Sequence, residues 1–73
     1  MSKITIAVLR WEDGWRVVRA GRRAGSHAFK VDAEEAGLRL ANQARASGRD
    51  VELLVQDEKT SEVRQMAGWE PAQ

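Results

Sequence analysis

The chain begins with an alternation of apolar and polar positions. In "KITIAVLRW", Ile4, Ile6 and Val8 fall on one side, and Thr5, Ala7 and Leu9 fall on the other. A period of two with β-branched residues predicts a strand. "EDG" then supplies turn chemistry, with Gly14 free to take a positive φ. "WRVVRA" resumes the alternation as the second strand of a hairpin. A four-residue connection puts Ile6 and Val8 on one face with Trp15 and Val17, whereas a two-residue loop would set Val8 beside Arg19 and Trp11 beside Arg16. The first register gathers the large apolar groups on one side and is the one expected.

"GRRAG" reads as a glycine-bounded loop, and "SHAFKV" as a short third strand with Phe29 facing inward. The period then changes. In "DAEEAGLRLANQARASG", Ala33, Ala36, Gly37, Leu40 and Ala44 form one stripe at helical spacing, and Leu38 points away from it. Asp32 with Glu35 three residues later predicts a capping box, and Gly48 predicts a left-handed stop. "VELLVQD" is a fourth strand with Val51, Leu53 and Val55 inward and Glu52, Leu54 and Gln56 outward. "DEKT" is a polar turn, and "SEVRQM" is a short, weakly patterned fifth strand.

The order β-β-β-α-β-β predicts an α+β, two-layer fold: an antiparallel sheet of four to five strands with one helix packed on one face. Residues 1–66 form the single domain, and 67–73 form a C-terminal tail from which Trp69 can dock on the body. The small side chains of the helix stripe suit close approach to a sheet. One helix covers only one face, so Ala7, Leu9, Val18 and Leu54 are left on the other, among Thr5, Arg16, Glu52 and Gln56. Small monomers seldom leave contiguous apolar patches without a use for them.

These motifs carry a resemblance. "DGWRVVRAGRRAGSHAFKVDAEEAGLRLANQARASGRDVELLVQD" resembles the small bacterial domains of unknown function grouped as DUF2188. The matching positions are Asp13, Gly14, Trp15, Val17, Gly21, Phe29, Glu35, Ala36, Ala44, Gly48 and Val55, and the likeness spans roughly residues 4–65. The departure is "DEKT", where such domains tend to carry Asp-Gly. The resemblance implies a fold and no activity. A second, local likeness joins "GWRVVRAGRRAGSHAFK" to the HicA family of small ribonuclease toxins. Carried over, it matches Gly25, Ser26 and His27 and makes His27 the candidate catalytic residue. That family opens with a helix where this chain has a strand, its basic loop is shorter, and its downstream order differs.

Composition narrows the chemistry. A 73-residue chain has room for one domain, and a domain this small buries only about 60% of the surface its unfolded form exposes. With no cysteine and one histidine, disulfides and a structural metal are not expected to compensate, which leaves self-association. No apolar run of about 18 residues is present, so no membrane partner is expected. The first residues lack a cleavage site, so no signal peptide is expected and a cytoplasmic location is the default. Residues 1–31 carry seven basic and two acidic side chains, and residues 32–73 carry five and nine. Arg16, Arg19, Arg22, Arg23 and Lys30 are the nucleic-acid-binding candidates, since phosphate contacts need only clustered cations.

His27 is the chain's one histidine, the residue type that most often serves as a general acid or base. The chain offers it no cysteine to activate, and Ser26 beside it points to the opposite face of any strand. The acidic residues Asp50, Glu52, Asp57, Glu58 and Glu62 match no calcium loop, and "GRRAG" lacks the residues of a phosphate-cradling loop. No cofactor and no metal site are expected. The expected function is non-catalytic: interaction or self-association through the uncovered face with Ala7, Leu9, Val18 and Leu54, as a homodimer or on a protein partner. The alternative is RNA binding by the basic region, with ribonuclease activity through His27 as its boldest form.

Overall fold

The structure, a computed structural model, describes residues 3–69. Strand β1 (Lys3–Trp11) and strand β2 (Gly14–Arg19) pair antiparallel, with Val8 opposite Val17, Arg10 opposite Trp15 and Trp11 opposite Gly14. Ile6, Val8, Trp15 and Val17 thus share a face as expected. The connection is a two-residue turn, Glu12–Asp13, because Trp11 and Gly14 also pair; contrary to expectation, this short turn keeps Val8 opposite Val17 and does not set it beside Arg19. Positive φ falls on Glu12 (53°) rather than on Gly14. Gly14 is needed for another reason: a Cβ there would lie 2.5 Å from the carbonyl oxygen of His27.

The third strand differs from its sequence reading. Ala20 and Gly21, both at positive φ (52° and 81°), make the tight turn that the right-handed twist of a hairpin favours. Strand β3 therefore starts at once and spans Arg22–His27, paired antiparallel with β2. The expected basic loop is strand. Val17 faces Gly25 and Val18 faces Arg23, so Ala24 is the extra residue of a bulge. Because this register ends at His27, Phe29 lies beyond the strand and is 67% exposed instead of buried.

Helix α1 spans Lys30–Ala46. Its N-cap is Phe29 in extended conformation, with no side-chain cap, so Asp32 is a first-turn residue and not the expected cap. Its carboxylate still favours the positive end of the helix dipole. The stop is as expected: Gly48 has φ 83°, its N–H donates to the Arg45 carbonyl, and the Arg49 N–H reaches the Ala44 carbonyl. Ala33, Gly37, Ala41 and Ala44 are buried, with Ala36 and Leu40 packed on their flanks. A Cβ on Gly37 would lie 2.9 Å from Val8 Cγ2, which is how closely the helix sits on the sheet.

The sheet is mixed, which corrects the fully antiparallel expectation. β3 runs in the direction of β1, and α1 then carries the chain back. A 17-residue helix is about 25 Å long, close to the length of a seven-residue strand. Strand β4 (Asp50–Gln56) therefore starts level with β1 and pairs parallel to it, with Ile6 opposite Leu53 and Ala7 opposite Leu54. Strand β5 is only Val63–Gln65, antiparallel to β4 and shorter than the expected 61–66. The order is β3-β2-β1-β4-β5, with β1 in the middle.

On the helix side, Ile4, Ile6, Val8, Trp15, Val17, Val51 and Leu53 form the core with the small helix residues and Trp69. Trp69 is 6% exposed, donates Nε1–H to the Val51 carbonyl at 3.1 Å, and carries the Arg45 guanidinium 3.7 Å from its ring centre. Residues 70–73 of the expected tail lie outside the described residues. Among the described residues no polar or charged side chain is buried, and no helix is long and apolar enough to cross a membrane.

Candidate functional site

The opposite side of the sheet has no helix over it. Successive strand residues point to opposite faces, so the registers fix what this side presents. One row crosses β3 to β5 as Arg23, Val18, Ala7, Leu54 and Gln65. The next holds Ser26, Arg16 and Leu9, with Gln56 and Val63 continuing it on β4 and β5. Thr5 and Glu52 lie one step the other way, joined by a 3.2 Å hydrogen bond from the threonine hydroxyl. The four interface candidates Ala7, Leu9, Val18 and Leu54 are all half-buried and adjoin one another on three neighbouring strands.

Two polar groups on this face are held in place. Arg16 stacks its guanidinium 3.6 Å from the ring centre of Trp11, which is itself half exposed at the end of β1. The Nε of Arg16 is occluded and has no hydrogen-bond partner among the described residues. Across β1, the Gln56 side chain is fixed at both ends: Oε1 accepts from the Arg10 backbone N–H at 2.9 Å, and Nε2 donates to the Ser61 carbonyl at 3.3 Å. An amide oxygen has a second lone pair, so Gln56 can accept one more donor.

The five basic candidates do not form one surface. Arg16 and Arg23 lie on the open face, whereas Arg19 and Arg22 pair with each other on the helix side of the sheet. Lys30 sits in the first turn of α1, with Nζ 5.6 Å from the ring centre of Trp15. His27 ends β3 opposite Trp15, on the helix side, and Ser26 faces the open side with Arg16. Their side chains therefore diverge, as adjacent strand residues must. Among the described residues no group of three or more His, Asp or Glu side chains converges to hold a metal ion.

Gln65 and Val63 complete the open face and were not singled out from sequence. Their strand has three residues, too few for an alternation to show. The pairing of β5 with outward-facing Leu54 and Gln56 is the signal that finds them. No family model matches the chain, and neither does any curated protein or solved structure.

Proposed function

We propose that the protein is a non-catalytic self-association module in which two copies join through their uncovered sheet faces. The observation that carries this reading is the contiguous set Val18, Ala7, Leu54 and Leu9 on three adjacent strands, on the side that α1 leaves bare. Burying such a set stabilises by about 25 cal/mol for each Å² removed from water, and a chain this short has little other reserve. The edges suit pairing less well. β3 carries Arg22, Arg23 and a bulge, and β5 has three residues, both features that discourage strand addition. The face also carries both signs of charge, Arg16 and Arg23 on one half and Glu52 on the other, which suits a second copy of the same surface.

Sedimentation equilibrium from micromolar to millimolar concentration tests this, with RNA and DNA filter binding beside it. A monomer–dimer equilibrium that Leu54→Asp abolishes while the fold persists is the expected result. A strict monomer throughout overturns the reading. If that monomer also retains single-stranded RNA in a salt-dependent way that Arg16→Ala weakens, the face belongs to nucleic acid, with Trp11 as its stacking group.

A further inference from the structure

We infer that the second copy is related to the first by a twofold axis running along β1, so that the arginine-bearing half of one open face lies on the amide- and carboxylate-bearing half of the other. This rests on the self-association reading and adds the geometry. Sheets packed face to face keep their strands within about 30° of one another. A two-copy interface of this kind is isologous. These conditions leave two arrangements, with the axis along the strands or across them.

With the axis along the strands, β1 lies on itself, β2 lies on the partner's β4, and β3 lies on the partner's β5. Rows keep their level. The registers then place Val18 on Leu54 of the partner subunit, and Ala7 and Leu9 each on their own counterparts. Arg16 faces the partner's Gln56, whose Oε1 is already oriented and has a lone pair to spare for the guanidinium. Arg23 faces the partner's Gln65 and lies diagonally from the partner's Glu52. Val18, Ala7, Leu9 and Leu54 each meet an apolar position and each arginine meets an acceptor, while Val63 at the rim falls on the partner's Ser26.

With the axis across the strands, each strand lies on its own copy and the rows reverse. Centred on the Ala7 row, this sets Arg23 against the partner's Arg23, Leu9 against the partner's Thr5 and Gln56 against the partner's Glu52. Shifted half a step, it sets Val18 against the partner's Arg16 and Leu54 against the partner's Gln56. Both versions bury like charges or cover apolar groups with polar ones, which costs affinity. The pseudo-symmetry of the sheet about β1 is what makes the first arrangement fit.

The chain has no cysteine, so introduced thiols report without background. Val18→Cys and Leu54→Cys are prepared separately, mixed, and oxidised or treated with a short bismaleimide. The mixture is expected to give covalent dimer at least about fivefold faster than either variant alone, because thiol coupling requires close Cβ approach. Efficient coupling of Val18→Cys with itself overturns the axis; if sedimentation still shows a dimer, self-association stands. A wild-type monomer overturns both. Should either cysteine dissociate the dimer, Thr5→Cys replaces them. It lies on the β1 column, couples with itself if the axis runs along the strands, and fails to do so if the axis runs across them.

Discussion

Leu53 and Leu54 are consecutive residues of β4 with the same side chain, and they point to opposite sides of the sheet. Leu53 is fully buried against Gly37 and the β1 aliphatics, while Leu54 is half-buried between Ala7 and Gln65. On the first side every buried residue is apolar, with Arg19, Arg22 and His27 at its margin, and α1 and Trp69 close it. The second mixes Leu54 with Arg16, Glu52 and Gln56 and is closed by nothing within the described residues. One face therefore specifies the fold, and the other is available for use. Substitutions on the two sides should separate into loss of stability and loss of association.

Leu53→Ala should give the largest effect. A buried leucine truncated to alanine costs about 2–5 kcal/mol. A chain of this length has roughly 4–11 kcal/mol in total, so the variant should lose a large share of its cooperative urea transition. Leu54→Ala measured at a concentration below dimer formation should differ from wild type by no more than about 1 kcal/mol. Equal losses for the two leucines would mean that the open face is covered within the monomer.

Next in size is Leu54→Asp. A carboxylate forced against the partner's apolar face should weaken the dimer at least about a hundredfold, equivalent to about 2.7 kcal/mol. Sedimentation reads this directly, and circular dichroism should be unchanged. If the dimer persists at wild-type affinity, the interface lies elsewhere, and the exposed Phe29 and Val31 at the start of α1 become the surface to probe.

Both leucines were legible in the sequence, because Ile4, Ile6, Val8, Val51 and Leu53 repeat with a period of two that only a strand turns into a face. The helix stripe and the Gly48 stop were legible from spacing in the same way. Phe29 was not. Its exposure follows from the Ala20–Gly21 turn, which starts β3 early and ends it at His27, and a Gly-Arg-Arg-Ala-Gly string gives no hint that its first glycine closes a hairpin and its second sits within a strand. The parallel pairing of β4 was hidden for a different reason: it depends on where the helix delivers the chain, a property of lengths and directions that no local pattern encodes. For the open face, Ala7, Leu9, Val18 and Leu54 could be read from alternation, but the acceptors Gln56 and Gln65 matter only through registers that join distant segments.

A smaller effect is expected at the closing edge of the helix-side core. Trp69→Phe keeps a ring under Arg45 but removes the Nε1–H that satisfies the Val51 carbonyl. Leaving that acceptor unpaired should cost about 1–2 kcal/mol. The loss should appear in urea unfolding and leave the dimer constant unchanged, since Trp69 belongs to the covered face. A shift in dimer affinity with no shift in stability would place Trp69 on the other side of the comparison.

The smallest effect is one of pH, and it concerns the turn that brings β5 beside β4. The Asp57 carboxylate accepts the backbone N–H groups of Thr60 (2.8 Å) and Lys59 (2.7 Å), which hold its pKa below the ordinary value of 3.8. The Thr60 N–H is the larger cause, and Lys30 adds a minor attraction. A depressed folded-state pKa stabilises the fold at pH above 3.8, where both states are ionised. As the pH falls below that value the unfolded chain takes up the proton first, and the contribution is lost as the pH passes through the lower folded value. Asp57→Ala should therefore be less stable than wild type at neutral pH by a small, constant amount, and the two should converge as the pH falls below 3.8 and through the lower folded value. Urea unfolding of both proteins across that range checks it. Because the turn also positions Val63 and Gln65, the same variant should slightly weaken the dimer at neutral pH. A stability gap that persists unchanged into acid would show that Asp57 acts through the shape of the turn and not through its charge.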